Sequence, residues 1–333
     1  MKNYLILIRP YGMLFLGFTP VFGAISNGEF NYFNLSALLI IGLLAHIFTF
    51  VQNDYYDIEI DSKSEYVSNR PLVKGNITQK KAFAVFFSSF LISLIISIVF
   101  LFSLYSFFIL LISFLLVTFY NKYSKKQFGM EYILGMGVFT YGIFGALTVS
   151  NVISNLAITV SLFGLMQWLF SVGVSANLKD VEYDNKLGIK TTPMIFGVKA
   201  INNKLIIPLC FKIYSIGIKI IHILIAALPF YLGYTSLYVY NLPIPMFFFL
   251  IISITLLFLT IKIHTAQIKD RKKILIYAGL QEGFTLLLLP IFLLSILIDK
   301  FGGIQALFLI LLFIFWPLFW FRLLYGKKMI PLE

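Results

Sequence analysis

From its first residues to its last, the chain alternates long apolar runs with short polar connections. Each run is about twenty residues long, the length of a membrane-crossing helix, and lacks the two-faced alternation of a soluble helix. The runs give ten candidate spans: 8–26, 35–58, 80–101, 103–121, 130–150, 154–178, 208–234, 242–264, 275–298 and 303–325. The pattern predicts an all-α, polytopic membrane protein, a transmembrane bundle of nine to ten spans forming a single integral-membrane domain over residues 1–333. The opening MKNYLILIRPYGMLFLGFTPVFGAIS shares a basic start and a small-residue end with signal peptides. Arg9 and Pro10 interrupt its apolar run too early for one, so a retained first span is expected.

Composition agrees, with 60% hydrophobic and 12% charged residues, and charge adds an orientation. Lys and Arg gather before the first span and after the second, fourth, sixth, eighth and tenth, Lys269 and Arg271 among them. The connections SNGEFNYFN, FSLYS, VSNVIS and LGYTSLYVYN contain none, and only Lys300 in IDKFGG breaks the alternation. By the positive-inside rule both termini are expected in the cytoplasm. The net charge of +12 then reads as orientation and contact with anionic lipid headgroups of the bilayer, with no need of nucleic acid as a partner. Lys212 and Lys219 fall inside the seventh run, whose first part is expected to lie along the interface with snorkelling lysines. A single cysteine, Cys210, excludes an intrachain disulfide and a cysteine zinc site, and His46, His222 and His264 are too scattered to read as a ligand cluster.

Eight of the 14 acidic residues sit in two patches: Asp54, Asp57, Glu59, Asp61 and Glu65 after the second span, and Asp180, Glu182 and Asp184 after the sixth. At about 100° per helical residue, Asp54, Asp57 and Asp61 fall within an arc of about 60°, and so do Asn177, Asp180 and Asp184. Glu59 and Glu182 point elsewhere and are left out of the site. Like charges on one face repel and are costly to desolvate, so an opposite charge is required. Pairing with nearby lysines, or solvation among headgroups, would answer that for one patch alone. Two patches four spans apart also look like a parallel internal repeat with a shared site. Carboxylates without His or Cys suit a hard cation, and Mg²⁺ in particular is held by few carboxylates together with substrate phosphates. Two Mg²⁺ ions across a diphosphate, ringed by basic loops and set over an apolar interior, imply a polyprenyl diphosphate substrate.

These residues resemble the UbiA superfamily of intramembrane prenyltransferases. Its first motif, NDxxDxxxD followed by NRP, stands here as Asn53, Asp54, Asp57 and Asp61 with Asn69, Arg70 and Pro71; the second stands as KDVEYDNKLGIKTTPMIFG, with Asp180, Asp184, Lys190 and Thr191. A third, weaker element is the basic loop YNKYSKK, and the match covers about residues 9–200. The resemblance implies that Asp54, Asp57, Asp61, Asp180 and Asp184 bind Mg²⁺ and promote ionisation of the allylic diphosphate. It also implies that Arg70 and Lys125 or Lys126 meet the diphosphate, beside Asn53, Lys122 and Lys190 as further candidates from the motifs and basic loops, and that an acceptor captures the allylic cation.

There are departures. The family pattern has nine spans, so 303–325 is an extra one, and NRPLPSG appears as NRPLVKG, adding Lys74. SKSEYVS lacks the features of porphyrin-accepting members, and DIEID followed by SKSE is not the CDP-alcohol phosphotransferase pattern. An ion-coupled transporter is the non-enzyme alternative, but carrier sites lie near the midplane, whereas these carboxylates end their helices. The acceptor is expected to be an aromatic quinone precursor, since the step from Asp61 to Asn69 resembles aromatic-acceptor members; a glycerol-phosphate lipid, as in archaeal ether-lipid synthesis, is the alternative. Arg9 is a candidate contact to an acidic acceptor, with orientation of the first span as its other reading. No obligate protein partner is evident, and Glu131 and Glu282 are given no role.

Overall fold

The computed structural model describes residues 2–64, 67–201, 204–265 and 271–328, with the backbone alone at 204, 271 and 328. Glu65 of the first acidic patch and Lys269 of the eighth-span basic stretch lie outside the described residues. The chain is almost wholly helical: α1 (Lys2–Ile8), a 3-10 turn (Pro10–Gly12), α2 (Met13–Ser26), α3 (Tyr32–Asp61), α4 (Gln79–Phe100), α5 (Leu104–Tyr123) and α6 (Met130–Leu147). Then come α7 (Asn155–Phe170), a π-helical stretch (Ser171–Ala176), α8 (Asn177–Lys186) and α9 (Thr192–Ile195). A hairpin of β1 (Lys199–Ile201) and β2 (Lys204–Ile206) leads to α10 (Leu209–Tyr231), α11 (Ile244–Thr265), α12 (Arg271–Phe292), α13 (Leu294–Phe301) and α14 (Gly303–Tyr325). Among the described residues, ten helical stretches are long and apolar enough to cross a membrane, matching the ten expected spans.

Length places the acidic motifs. The 30 residues of α3 span about 45 Å, longer than the ~30 Å hydrocarbon layer, which leaves length for its last turns to project beyond it. The 32-residue stretch Asn155–Lys186 does the same for α8. Both helices run past the ends read from hydropathy, at 58 and 178, because the motif residues that close them are polar but include no Gly or Pro to break the helix. The Asn31 side chain caps α3, accepting from Phe33 N at 2.8 Å, and the Thr78 side chain caps α4 by accepting from Lys81 N at 3.3 Å.

Packing divides the chain into two compact units, one of Met1–Tyr123, Met136–Ser161 and Phe315–Glu333, the other of Ser124–Gly135 and Leu162–Ile314. In the first, α3 packs on α2, α4 and α5. Backbones approach closely where glycines meet: a Cβ at Gly42 would strike the Gly17 carbonyl oxygen, and one at Gly145 the Pro20 carbonyl oxygen. Small residues at helix crossings are how membrane helices gain dispersion contact in the absence of a hydrophobic drive. Helix α4 is inverted accordingly, burying Ala82, Ser89, Ser93 and Ser97 and exposing Phe83, Phe87, Leu91 and Ile95. Ser89 and Ser93 satisfy their hydroxyls on the preceding turn, donating to Val85 O at 2.9 Å and to Ser89 O at 2.8 Å.

In the second unit, Phe170, Val174, Leu178 and Val181 pack with Phe211, Ile218 and Ile263, which anchors the apolar side of α8. The antiparallel hairpin, pairing Lys199 with Ile206 and Ile201 with Lys204, was not foreseen from hydropathy. Nor does Lys219 snorkel. It is fully buried, with its Nζ 4.1 Å from the Phe170 ring centroid and 3.3 Å from His222 Nδ1, so an aromatic face and an imidazole meet its amine inside the unit.

Candidate active site

The last turns of α3 sort their acids by helical phase. Asp54, Asp57 and Asp61 are 3%, 5% and 6% exposed, whereas the Glu59 side chain is 87% exposed and pairs with Lys63, at 3.4 Å. The buried face is compensated by arginine. Arg70 Nη1 reaches Asp61 Oδ2 at 2.6 Å and Asp54 Oδ1 at 3.1 Å, and Arg9 Nη2 reaches the same Asp54 oxygen at 2.5 Å. Two guanidinium groups on one carboxylate oxygen form charge-assisted contacts that lysine's point charge does not reproduce. Arg9 thus serves the aspartate face here, beside its expected role toward an acceptor.

The break in the first span explains how Arg9 gets there. Pro10 ends α1, and Arg9 takes a left-handed conformation, φ 50° and ψ 61°, which costs a non-glycine residue roughly 1–2 kcal/mol. Its guanidinium lies 5.2 Å from the Phe50 ring centroid, and its carbonyl oxygen lies 3.1 Å from His46 Nε2. Two further polar residues escaped the sequence reading. Asn121 of α5 donates to Gln52 Oε1 at 2.9 Å and to Thr49 O at 3.1 Å, and Gln52 donates to Thr118 Oγ1 at 3.3 Å. Both are buried, and they fix the end of α5, where the YNKYSKK loop begins, against the turn of α3 that precedes Asn53. Their only signal was a lone amide at the end of an apolar run, in FVQND and TFYNK.

The second motif is built separately, in the other unit. A π-helical stretch adds about one residue to a turn and so rotates the helix beyond it, and such turns concentrate at functional sites. Here it leads into α8, where Asp184 is buried beside Val181 and Leu178, Asp180 is half-buried, and Glu182 turns out to pair with Lys186 at 3.2 Å. Glu131, left without a role by the sequence, is buried and accepts a hydrogen bond from the Thr192 hydroxyl. Its Cγ also lies 3.2 Å from where a Cβ on Gly173 would stand. It therefore touches both the π-helical entry to α8 and the segment after its exit. Glu282 accepts from Ser171 Oγ at 2.9 Å, a second tie on the same entry.

Of the residues expected at a diphosphate, Arg70 joins the aspartates, Asn53 and Lys125 are half-buried, and Lys122, Lys126 and Lys190 are exposed. Among the described residues no three His, Cys, Asp or Glu side chains converge enough to enclose a metal ion. The donors present nonetheless fit Mg²⁺, which takes oxygen ligands, needs only one or two protein carboxylates and draws the rest from substrate phosphate and water. Thr191 Oγ1, in the loop after α8, is a further buried oxygen with no hydrogen-bond partner among the described residues.

Comparison with known proteins converges on one family. Residues 14–288 match the model of the UbiA prenyltransferase family. The digeranylgeranylglyceryl phosphate synthase of Methanococcus aeolicus is 27% identical over 70% of this chain and 78% of its own length. The 4-hydroxybenzoate octaprenyltransferase of Blochmanniella floridana is 26% identical over 71% of this chain and 76% of its own. A solved UbiA homologue from Archaeoglobus fulgidus, bound to GPP and Mg²⁺, shares the fold with a TM-score of 0.55 at 16% identity, over 86% of this chain and 99% of that one.

Proposed function

Because the chain belongs to the UbiA prenyltransferase family, we propose that it transfers a prenyl group from a polyprenyl diphosphate to an anionic acceptor in an Mg²⁺-dependent reaction, with the aspartates of its two acidic helix ends as the metal ligands. The observation that carries this is the phase of α3: three aspartates buried on one face, with the neighbouring glutamate turned out. Asp54, Asp57 and Asp61, with Asp180 and Asp184, would hold the metal. When bound, Mg²⁺ neutralises charge growing on the diphosphate as the allylic C–O bond breaks.

The chain's own groups do the rest. Arg70, forked between Asp54 and Asp61, presents donors suited to phosphate oxygens and ties the two carboxylates together. Asn53, Lys122, Lys125, Lys126 and Lys190 add donors and positive charge from the adjoining turns and loops. The apolar helices give the prenyl chain a hydrocarbon surrounding that keeps water from competing for the allylic cation. The lysine distribution supports a centre and both termini on the cytoplasmic side.

Arg9, close to Asp54, is the group we assign to the acceptor's acid. The aromatic acid remains our main reading of that acceptor, on the spacing from Asp61 to Asn69. The lipid synthase names among relatives, the Methanococcus aeolicus enzyme included, favour a glycerol-phosphate lipid as a second reading. A panel of hydroxybenzoates, naphthoates and glyceryl phosphates, offered with labelled geranylgeranyl diphosphate and Mg²⁺, separates them. Labelled aromatic product supports the first reading, labelled lipid the second, and no labelled product with any acceptor overturns both.

A further inference from the structure

The break in the first span is held from two sides. On one, His46 Nε2 lies 3.1 Å from the carbonyl oxygens of both Ile8 and Arg9. On the other is the C-terminal half of α14. Trp316 Nε1 donates to the Pro10 carbonyl oxygen at 2.6 Å, and Phe321 stacks on Tyr11 with ring centroids 4.4 Å apart. Tyr325 adds an edge contact to Tyr11 at 6.2 Å. Pro10 and Tyr11 directly follow Arg9, whose left-handed conformation persists only if its surroundings over-determine it. The span that the family pattern leaves without a counterpart therefore grips the backbone that aims a site arginine at Asp54.

We propose that α14 is a positioning element, in which Trp316 and Phe321 clamp Pro10 and Tyr11 and so hold the Arg9 guanidinium on the aspartate face of α3. The clamp stands on these contacts alone, and only its effect on rate rests on the prenyl-transfer reading. Trp316 acts through Arg9 and touches no substrate. Losing its hydrogen bond leaves the Pro10 carbonyl with the Met13 amide alone and lets the elbow relax toward conformations in which Arg9 leaves Asp54.

The test uses the full chain in lipid nanodiscs. Trp316→Phe keeps the ring and removes the donor. Trp320→Phe, one turn along the same helix, is the control, because that indole N–H has no hydrogen-bond partner among the described residues. The Gly12 and Met13 amides donate to the Arg9 and Pro10 carbonyls, so deuterium exchange over residues 5–14 reports the elbow directly. Exchange there is expected to rise several-fold in Trp316→Phe and to stay unchanged in Trp320→Phe. In prenyl transfer, Trp316→Phe lowers kcat/KM about fivefold, the scale of one hydrogen bond. Arg9→Ala lowers it further, and the double variant matches Arg9→Ala alone. Unchanged exchange in Trp316→Phe, or losses that multiply in the double variant, overturn the clamp. If the wild-type protein transfers no prenyl group to any acceptor, the functional reading fails, and exchange alone decides the clamp.

Discussion

At Asp54 two arginines from opposite directions in sequence, Arg9 and Arg70, share one carboxylate oxygen, and Arg70 also holds Asp61. Removing one member of a buried ion pair leaves an uncompensated charge and costs roughly 3–5 kcal/mol. Arg70→Ala is therefore expected to lower the unfolding temperature of the purified protein and abolish transfer, whereas breaking the exposed Glu59–Lys63 pair is worth less than about 1 kcal/mol. Activity should split the α3 acids in the same way. Asp57→Asn is expected to lose more than about a hundredfold in kcat/KM, as when a group stabilising developing charge is removed, while Glu59→Gln stays near wild type; equal losses in the two would show that helical phase does not define the site. That phase was legible in the sequence because rotation per residue is a local property. The pairing of Arg9 with Asp54, 45 residues apart, and the amide contacts between Gln52 and Asn121 were not, because only packing brings such residues together.

The helices were legible as elements for a similar reason: a hydrocarbon layer dictates their length and leaves the apolar run as its record. Hydropathy missed their ends, where polar motif residues extend α3 and α8, and the hairpin of β1 and β2, too short to leave a period. The tie from Glu131 to Thr192 was equally hidden, since a glutamate entering an apolar helix gives no hint of its partner. Glu131→Ala should loosen the segment after α8, seen as faster deuterium exchange over residues 187–195, and should raise the Mg²⁺ and donor concentrations needed for half-maximal rate. Glu131→Gln, which keeps an acceptor for the Thr192 hydroxyl, should restore most of both. Helix crossings make a sharper contrast. Gly145→Leu forces a side chain into the Pro20 carbonyl and is expected to prevent recovery of folded protein, whereas Gly279→Ala, with open space around it, should be recovered at wild-type yield.

For the molecule as a whole, the lysine distribution is the basis for the proposed cytoplasmic placement of the acidic helix ends. Cys210, the single cysteine, is exposed beside the start of α10, on the side expected to face the cytoplasm. A membrane-impermeant maleimide should therefore label it in inverted vesicles and leave it unlabelled in intact cells, and the reverse pattern would turn the topology over. The extra span gains a use in this picture through its grip on Pro10. Each compact unit carries one of the two acidic helix ends proposed to bind Mg²⁺. The most direct measurement is release of diphosphate from geranylgeranyl diphosphate by purified protein with acceptor present, with Mg²⁺ and after its removal by EDTA, in wild type, Asp57→Ala and Asp184→Ala. Release that requires Mg²⁺, returns when Mg²⁺ is restored, and falls to background in both variants is the expected result. Full release without Mg²⁺, or undiminished release by either variant, would contradict the site assigned to these aspartates.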